Sequence, residues 1–245
     1  MEKNVKLLIC YDGTAYHGWQ MQENALTVQE CVTKAAEKIF SQKITVNGCS
    51  RTDSGVHANE FCCNFRFEGE RAEDKIILGM NSQLPEDIRV FGCEYADTDF
   101  HARFDCKGKE YIYKVWNAKT GNPFMSRYSL FYPYALDEEL LDSQAKAFIG
   151  THDFAAFCAA GSIVKDTVRT VKDFSVKREG ELVTFSVTGD GFLYNMVRIM
   201  VGTLLYINNG KIEKDTIPEI ILSGDRTRAG ITVRPEGLYL NKVFY

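Results

Sequence analysis

Residues 27–40 read Thr27-Val-Gln-Glu-Cys-Val-Thr-Lys-Ala-Ala-Glu-Lys-Ile-Phe40, and they follow a short apolar run at Val5–Tyr11. Apolar side chains recur every three to four positions in this stretch, which is the period of an amphipathic α-helix. Thr27 and Glu30 have the spacing of a capping box at a helix start. Because Val5–Tyr11 has the length and composition of a strand, the sequence predicts a strand followed by a helix.

The segments on either side continue this alternation of strands and helices. In the first half, the remaining predicted elements are strands at 43–49 and 60–67, a short helix near 72–81 and a strand near 88–95. In the second half, we predict strands at 109–116, 168–177, 182–189 and 237–244, and helices near 137–148, 192–208 and 215–222. Hairpin-like connections favour antiparallel pairing. The pattern therefore predicts an α+β fold with two lobes, 1–105 and 106–245, each of RRM-like or ferredoxin-like topology with a mainly antiparallel sheet.

The composition of the 245-residue chain is that of an ordinary globular protein, with 45% hydrophobic and 25% charged residues. The longest nearly apolar run, Ile199–Ile207, is far shorter than the roughly 20 residues of a membrane-spanning helix. The N-terminus lacks the cleavage site of a signal peptide. The eight cysteines and four histidines show no spacing typical of zinc ligands. We therefore expect a cytoplasmic protein without a metal.

The formal net charge of −4 argues against a protein that binds nucleic acid over its whole surface. The charges are unevenly distributed along the chain, however. Acidic residues outnumber basic ones in residues 1–105, whereas basic residues slightly outnumber acidic ones in residues 106–245. This distribution permits a local basic surface in the second half.

The loop Ser50-Arg-Thr-Asp-Ser-Gly-Val-His57 lies between two predicted strands and carries a basic and an acidic side chain two positions apart. Asp53 offers a carboxylate on a short stem, and Arg51 can orient a phosphate or a sugar. Gly55 permits a tight turn or the close approach of a ligand. The alternative is an Asx-turn, in which Asp53 bonds the backbone of its own loop. The residues alone leave both interpretations open.

Two other segments combine a possible functional side chain with an apolar context. In Lys109–Trp116, a period of two places Tyr111 and Tyr113 on one face of the strand. An aromatic ring there is suited to stacking on an unpaired base or to a place in the core. In the helix predicted over 192–208, Arg198 has apolar neighbours, so its guanidinium is either partly buried and paired or extended to water.

Taken together, these three segments resemble the tRNA pseudouridine synthase A family. The loop at 50–57 is similar to the family's central motif, Arg-Thr-Asp-x-Gly-Val-His. The other matching pieces, in the same order along the chain, are YDGTAYHGWQ at 11–20, NSQLPEDI at 81–88, FHARFDCKGKEYIY at 100–113, HDFAAF at 152–157, FLYNMVRIMVG at 192–202 and PEGLYL at 235–240. One departure is Glu60, where the family usually has glutamine, which leaves a local polar contact open.

The resemblance implies that the chain isomerises uridine to pseudouridine in the anticodon stem-loop of tRNA, at positions 38, 39 or 40, without a cofactor or metal. It implies that Asp53 is the catalytic carboxylate, that Tyr111 packs against the target base and that Arg198 pairs with the carboxylate. Arg51 is implied to engage the RNA. The resemblance also implies a homodimer in which each chain has two RRM-like lobes joined around a central cleft.

Two other classes of protein fit parts of the pattern. A non-catalytic RNA-binding module would use the aromatic strand but would need neither Asp53 nor Arg198. A carboxylate-dependent glycosidase would need a second carboxylate facing Asp53, and it would release free base. An assay for free uracil separates a glycosidase from a synthase.

Overall fold

The computed structural model describes residues 2–161 and 164–245, which form two compact units. The first unit extends to Lys107 and also includes Tyr239–Tyr245, and the second unit is Gly108–Leu238. The end of the chain therefore belongs to the same unit as its beginning. The domain boundaries expected from the sequence, 1–105 and 106–245, stay a prediction.

The first unit has the β-α-β-β-α-β order that the sequence predicts. Its elements are β1 (Glu2–Tyr11), α1 (Val28–Phe40), β2 (Asn47–Gly48), β3 (His57–Glu68), α2 (Glu73–Gln83) and β4 (Ile88–Ala96). Strand β1 lies between β3 and β4 and is antiparallel to both, and β2 is antiparallel to β3. This arrangement is that of a ferredoxin-like sheet.

Of the five strands in the described part of the second unit, four are arranged antiparallel to their neighbours. The elements from here to the end of the chain are β5 (Gly108–Trp116), β6 (Leu130–Phe131), α3 (Glu138–Ala145), β7 (Gly150–Asp153), β8 (Val168–Glu179), β9 (Leu182–Gly189), α4 (Met196–Asn208), α5 (Ile217–Ser223) and β10 (Leu238–Phe244).

Within that unit, β9 is antiparallel to β5 and β8, and β7 is antiparallel to β8. Strand β10 runs parallel to β3 of the first unit, to which almost all of it belongs. A mixed fold with mainly antiparallel strands is confirmed.

The start of α1 follows directly from its sequence. Thr27 is extended, with φ −131°, and its hydroxyl accepts a hydrogen bond from the Glu30 N–H. The helix ends at Ser41, whose backbone is left-handed with φ 55°. The buried face consists of Val28, Val32, Ala35 and Ala36. The predicted cap and apolar stripe are therefore confirmed.

The strand predicted at 43–49 is wrong for most of its length, because only Asn47–Gly48 pair with a neighbouring strand. Backbone groups before these two residues bond to side chains of α1 instead. The Ile44 N–H donates to Glu37 Oε1 at 3.5 Å, and Val46 O accepts from Gln29 Nε2 at 2.8 Å. Side chains of the helix therefore replace part of a ladder that the apolar pattern suggested.

Helix α4 begins at Met196, four residues later than the predicted start at 192. Asn195 has a left-handed backbone with φ 59°, which a right-handed helix cannot contain. Arg198 consequently lies in the first turn of the helix. Among the residues that the structure describes, none of the helices, α4 included, combines the length and apolar character needed to cross a membrane.

Candidate active site

The loop between β2 and β3 is anchored by the residue between its two charged side chains. Thr52 is buried, whereas Arg51 is exposed and Asp53 is half-buried. The Thr52 hydroxyl shares a buried hydrogen bond with the Tyr11 hydroxyl, with 2.8 Å between the oxygens. Anchoring at Thr52 therefore fixes the backbone on which the Arg51 and Asp53 side chains are carried.

Backbone hydrogen bonds shape the rest of this loop. The Trp19 N–H donates to Thr52 O at 3.1 Å, and the Gly55 N–H donates to Tyr16 O at 3.2 Å. Within the loop, the Val56 N–H donates to Asp53 O at 3.2 Å. This turn is closed by main-chain atoms, with Gly55 in the left-handed region at φ 76°.

Two glycines allow residues 11–19 to approach the loop closely. A Cβ atom on Gly13 would lie 2.0 Å from Val56 O. A Cβ atom on Gly18, which has φ 81°, would lie 2.3 Å from Thr52 O. Both distances are far inside van der Waals contact, so any larger residue must displace the backbone on one side of the contact. This explains the two glycines of the YDGTAYHGWQ segment.

His57 ends the loop at the start of β3, and only 2% of its surface is exposed. Its Nδ1 atom lies 3.0 Å from the Gly13 N–H nitrogen and 3.2 Å from Asp12 Oδ1. The imidazole stacks on the Tyr239 ring with 4.7 Å between centroids. A neutral Nδ1 accepts from Gly13, and a protonated Nδ1 donates to Asp12. In both states the ring connects the end of the loop to the segment beside it.

Tyr111 lies in β5 opposite Val187 of β9. The predicted alternation is confirmed, because Tyr111 and Tyr113 are both buried while Ile112 between them is half-buried. Tyr111 has 7% of its surface exposed, and its ring makes an edge-to-face contact with Phe192 at 5.2 Å between centroids. Base stacking and core packing both stay open for a ring that is packed on Phe192 and keeps a small exposed surface.

Tyr113, on the same face, has the properties of a core residue. Its hydroxyl donates to Arg234 O at 2.7 Å, and none of its surface is exposed. Burial raises the pKa of Tyr113 well above its ordinary value, so the hydroxyl remains a donor. Of the two tyrosines, Tyr111 is the one that retains some exposed surface.

Arg198 is half-buried and bonds two separate segments. Its Nε donates to Val233 O at 2.7 Å, and its Nη1 donates to Asn195 Oδ1 at 2.6 Å. The Val233 N–H in turn donates to Arg198 O at 3.4 Å. The guanidinium is thus fixed by intramolecular acceptors, which rules out a side chain that simply extends into water.

The four predicted site residues fall into two groups. Arg51 and Asp53 share the loop of the first unit. Tyr111 and Arg198 belong to the second unit, where the residues before α4 serve both, because Phe192 packs on Tyr111 and Asn195 bonds Arg198. The catalytic and binding roles of all four stay predictions.

Some supporting residues were not predicted from the sequence. Asp12, Tyr16 and Asn195 each bond a residue of the candidate site or its loop. The glycines around Tyr16 were the one available signal, and no periodicity in the sequence singles out Asn195. Glu60, the departure from the family pattern, supplies a polar contact, since its Oε1 accepts from the Val243 N–H at 3.3 Å.

Comparison with known proteins places this chain in a family. A family model described as tRNA pseudouridine synthase matches residues 8–105 and 144–245. The tRNA pseudouridine synthase A of Acetivibrio thermocellus is 46% identical over 243 residues, covering 99% of this chain and 100% of the relative. Those of Clostridium acetobutylicum and Thermoanaerobacter sp. are 46% and 44% identical with the same coverage.

One solved structure, a Cbf5-Nop10-Gar1 complex, is 12% identical with a TM-score of 0.36, and the match covers 82% of this chain and 53% of the other. That likeness is too low to carry an argument. The full-length relatives and the family model confirm the resemblance seen in the sequence motifs. The chain belongs to the tRNA pseudouridine synthase family.

Proposed function

We propose that the chain isomerises uridine to pseudouridine in the anticodon stem-loop of tRNA, at positions 38, 39 or 40, with Asp53 as the catalytic carboxylate. The names of the relatives support the reaction and the substrate class. The environment of Asp53 supports its assignment as the catalytic residue. It is a half-buried carboxylate on a loop whose backbone is held by hydrogen bonds on both sides of it. Such a loop keeps the carboxylate oriented before the substrate arrives.

The reaction breaks the C1′–N1 bond of uridine, turns the base and forms a C1′–C5 bond; C5 loses its proton to solvent and N1 gains one. The Asp53 carboxylate attacks C1′, attacks C6 of the base or removes a proton from the sugar. Each of these routes requires the ionised form. Arg198 is proposed to favour that form, because a neighbouring guanidinium lowers the pKa of a carboxyl group.

Tyr111 is proposed to pack against the target uracil once that base has left its stack. Extruding a base costs a few kcal/mol, and contact with an aromatic ring offsets roughly 1–3 kcal/mol of that cost. The edge contact with Phe192 supports this role because it fixes the plane of the Tyr111 ring. Packing at the base also excludes water, which would otherwise intercept the detached sugar.

Arg51 is proposed to contact a phosphate of the RNA, since it is an exposed cation two residues from Asp53. The family resemblance further supports a homodimer that acts in the cytoplasm and uses no cofactor or metal. These features go with the proposed reaction and are tested separately from it.

The deciding experiment measures tritium release from tRNA labelled at C5 of uridine, for the wild type and for Asp53→Asn, with RNA affinity measured in parallel. We expect release by the wild type and none by Asp53→Asn, because the amide cannot act as a nucleophile or base. Affinity for tRNA should stay nearly unchanged, since Asn has the size and polarity of Asp. Turnover by the purified variant would overturn the role of Asp53.

The same assay separates the alternative classes of function. An RNA-binding module would bind tRNA without releasing tritium in either form. A glycosidase would liberate free uracil, which a synthase retains and rebonds. Transcripts with uridine at only one of positions 38, 39 and 40 then identify the modified positions.

A further inference from the structure

Tyr16 connects the loop of Asp53 to a carboxylate outside it. Its side chain is 3% exposed, and its hydroxyl donates to Asp87 Oδ1 at 2.5 Å. Its backbone carbonyl accepts from the Gly55 N–H at 3.2 Å and from the Ser54 hydroxyl at 3.3 Å. Ser54 and Gly55 directly follow Asp53. Tyr16 therefore bonds Asp87 through its hydroxyl, and it bonds the two residues after Asp53 through its backbone carbonyl.

Asp87 also holds the beginning of the same segment. The Asp12 N–H donates to the Asp87 carbonyl at 2.9 Å. Asp12 Oδ1 in turn lies 3.2 Å from Nδ1 of His57, which ends the loop. Asp87 thus bonds both Asp12 and Tyr16, and through them it supports the two ends of the turn that contains Asp53.

The chemistry of its two groups makes the Tyr16–Asp87 hydrogen bond a strong one. Burial, followed by the hydrogen bond and charge of Asp87, raises the pKa of Tyr16 well above its ordinary value, so the hydroxyl keeps its proton. A hydroxyl that donates to a carboxylate makes a stronger bond than one between two neutral groups. Asp87 is the residue immediately before β4, so the acceptor of this hydrogen bond lies at the start of a strand.

We propose that Tyr16 and Asp87 are positioning residues that set the orientation of the Asp53 loop for the chemical step. This inference rests on the proposed role of Asp53. Loss of the Tyr16–Asp87 bond allows the Tyr16 backbone to shift, and the carbonyl that holds Ser54 and Gly55 shifts with it. A misplacement of about 1 Å at a reacting group costs up to about 100-fold in rate.

The test uses three single variants and one double variant in single-turnover tritium release at saturating enzyme. Tyr16→Phe removes only the hydroxyl, Asp87→Ala removes the acceptor, and Asp87→Asn keeps an acceptor oxygen. We expect the rate constant to fall about 10- to 100-fold in Tyr16→Phe and Asp87→Ala, with tRNA affinity unchanged. Asp87→Asn should recover most of the rate. The double variant Tyr16→Phe/Asp87→Ala should be no slower than the slower single variant, because both remove the same bond.

A matched control separates positioning from general stability. Tyr245→Phe removes another tyrosine hydroxyl of the first unit, one that donates to Ala102 O at 2.6 Å. All variants are measured well below their thermal unfolding midpoints. Tyr245→Phe should lower its midpoint and keep the wild-type rate constant, whereas Tyr16→Phe should lose rate at a comparable midpoint.

Two results would overturn the inference. One is a wild-type rate constant in Tyr16→Phe, and the other is an Asp87→Asn variant as slow as Asp87→Ala. If Asp53→Asn is inactive while Tyr16→Phe is fully active, only the positioning role fails. If Asp53→Asn retains turnover, the proposed function itself fails, whatever the rates of the other variants.

Discussion

Asp53 and Arg198 are held in place by different means. The loop around Asp53 has no regular secondary structure, and the Thr52 hydroxyl and the loop's backbone groups hold its shape through hydrogen bonds to residues 11–19. Arg198 lies in a helical turn, and its guanidinium itself donates to Asn195 and Val233. The loop that carries Asp53 is therefore positioned through bonds of its neighbours Thr52 and Gly55, and the Arg198 guanidinium is held by its own bonds to Asn195 and Val233. Substitutions that shift the loop of Asp53 and substitutions of Arg198 should both lower the rate of the reaction. The first move the carboxylate, and the second remove oriented donors.

Both regions also depend on a glycine that faces a carbonyl oxygen. Gly13 lies against Val56 O beside the loop, and Gly202 of α4 lies against Ile231 O. Ile231 belongs to the segment that continues to Val233, an acceptor of Arg198. Close backbone approach is thus common to the two regions, even though the hydrogen bonds that hold their functional groups differ.

Among the substitutions that test this comparison, the largest effect is expected for Arg198→Lys, which shows whether the guanidinium acts through its own geometry. A lysine keeps the charge, but its single ammonium cannot reproduce the fixed orientation of Nε toward Val233 O and Nη1 toward Asn195 Oδ1. Loss of a preoriented donor costs about 100-fold or more in rate. We therefore expect single-turnover tritium release to fall by about that factor, with tRNA affinity nearly unchanged.

Arg178→Lys serves as the control for Arg198→Lys. Arg178 is another half-buried arginine of the second unit, and its Nη2 donates to Asn117 and Leu136. Its replacement should affect stability without changing the rate of tritium release. A wild-type rate in Arg198→Lys would mean that charge alone is sufficient and that the bonds of the guanidinium to Asn195 and Val233 are not needed for the reaction.

Gly202 and Gly13 should differ in how much stability the protein loses when each is replaced by alanine. In Gly202→Ala, the new Cβ would lie 1.9 Å from Ile231 O inside a buried helix, which outweighs the roughly 1 kcal/mol that alanine gains in helix propensity. We expect the free energy of unfolding to fall by about 2–3 kcal/mol, as in overpacked cores. In Gly13→Ala the contact is 2.0 Å, but the exposed neighbours Thr14 and Ala15 can move, so about 1 kcal/mol is expected.

Chemical denaturation of both variants checks this order. Gly121→Ala is the control, because a Cβ there meets no atom within 4 Å, and its unfolding free energy should stay within about 0.5 kcal/mol of the wild type. A Gly202→Ala variant as stable as Gly121→Ala would show that the helix and the segment at 231 separate easily.

Parts of the fold with a strong periodic signal could be predicted from the sequence. The Thr27 cap, the apolar face of α1 and the alternation around Tyr111 and Tyr113 all depend on neighbours in sequence, and the structure confirms them. The strand predicted at 43–49 was wrong before Asn47, because side chains of α1 bond the backbone groups of that part. This effect depends on residues distant in sequence. The late start of α4 depends on a single left-handed Asn195, which no periodicity reveals.

The residues of the candidate site could be proposed from the sequence, but the bonds that support them could not. Arg51, Asp53, Tyr111 and Arg198 were found because their segments resemble a family, and not because their spacing shows chemistry. The bonds from Tyr16 to Ser54 and Gly55 join positions about 40 residues apart in sequence, and those from Arg198 to Val233 join positions 35 apart. Contacts at such separations are set by the tertiary fold, so the sequence pattern alone could not supply them.

The smallest effect is expected for substitutions of Arg51, which is exposed where Arg198 is half-buried. Arg51 is exposed, and a phosphate contact there needs a charge more than a fixed geometry, so Arg51→Lys should bind tRNA almost as the wild type does. Arg51→Ala should weaken binding a few-fold and reduce the slope of log affinity against log salt concentration by about 1, because one fewer phosphate is neutralised. Titrations of tRNA at several salt concentrations measure both quantities. An unchanged slope in Arg51→Ala would exclude a phosphate contact, and a loss of tRNA affinity in Arg51→Lys as large as that in Arg51→Ala would mean that Arg51, like Arg198, acts through geometry.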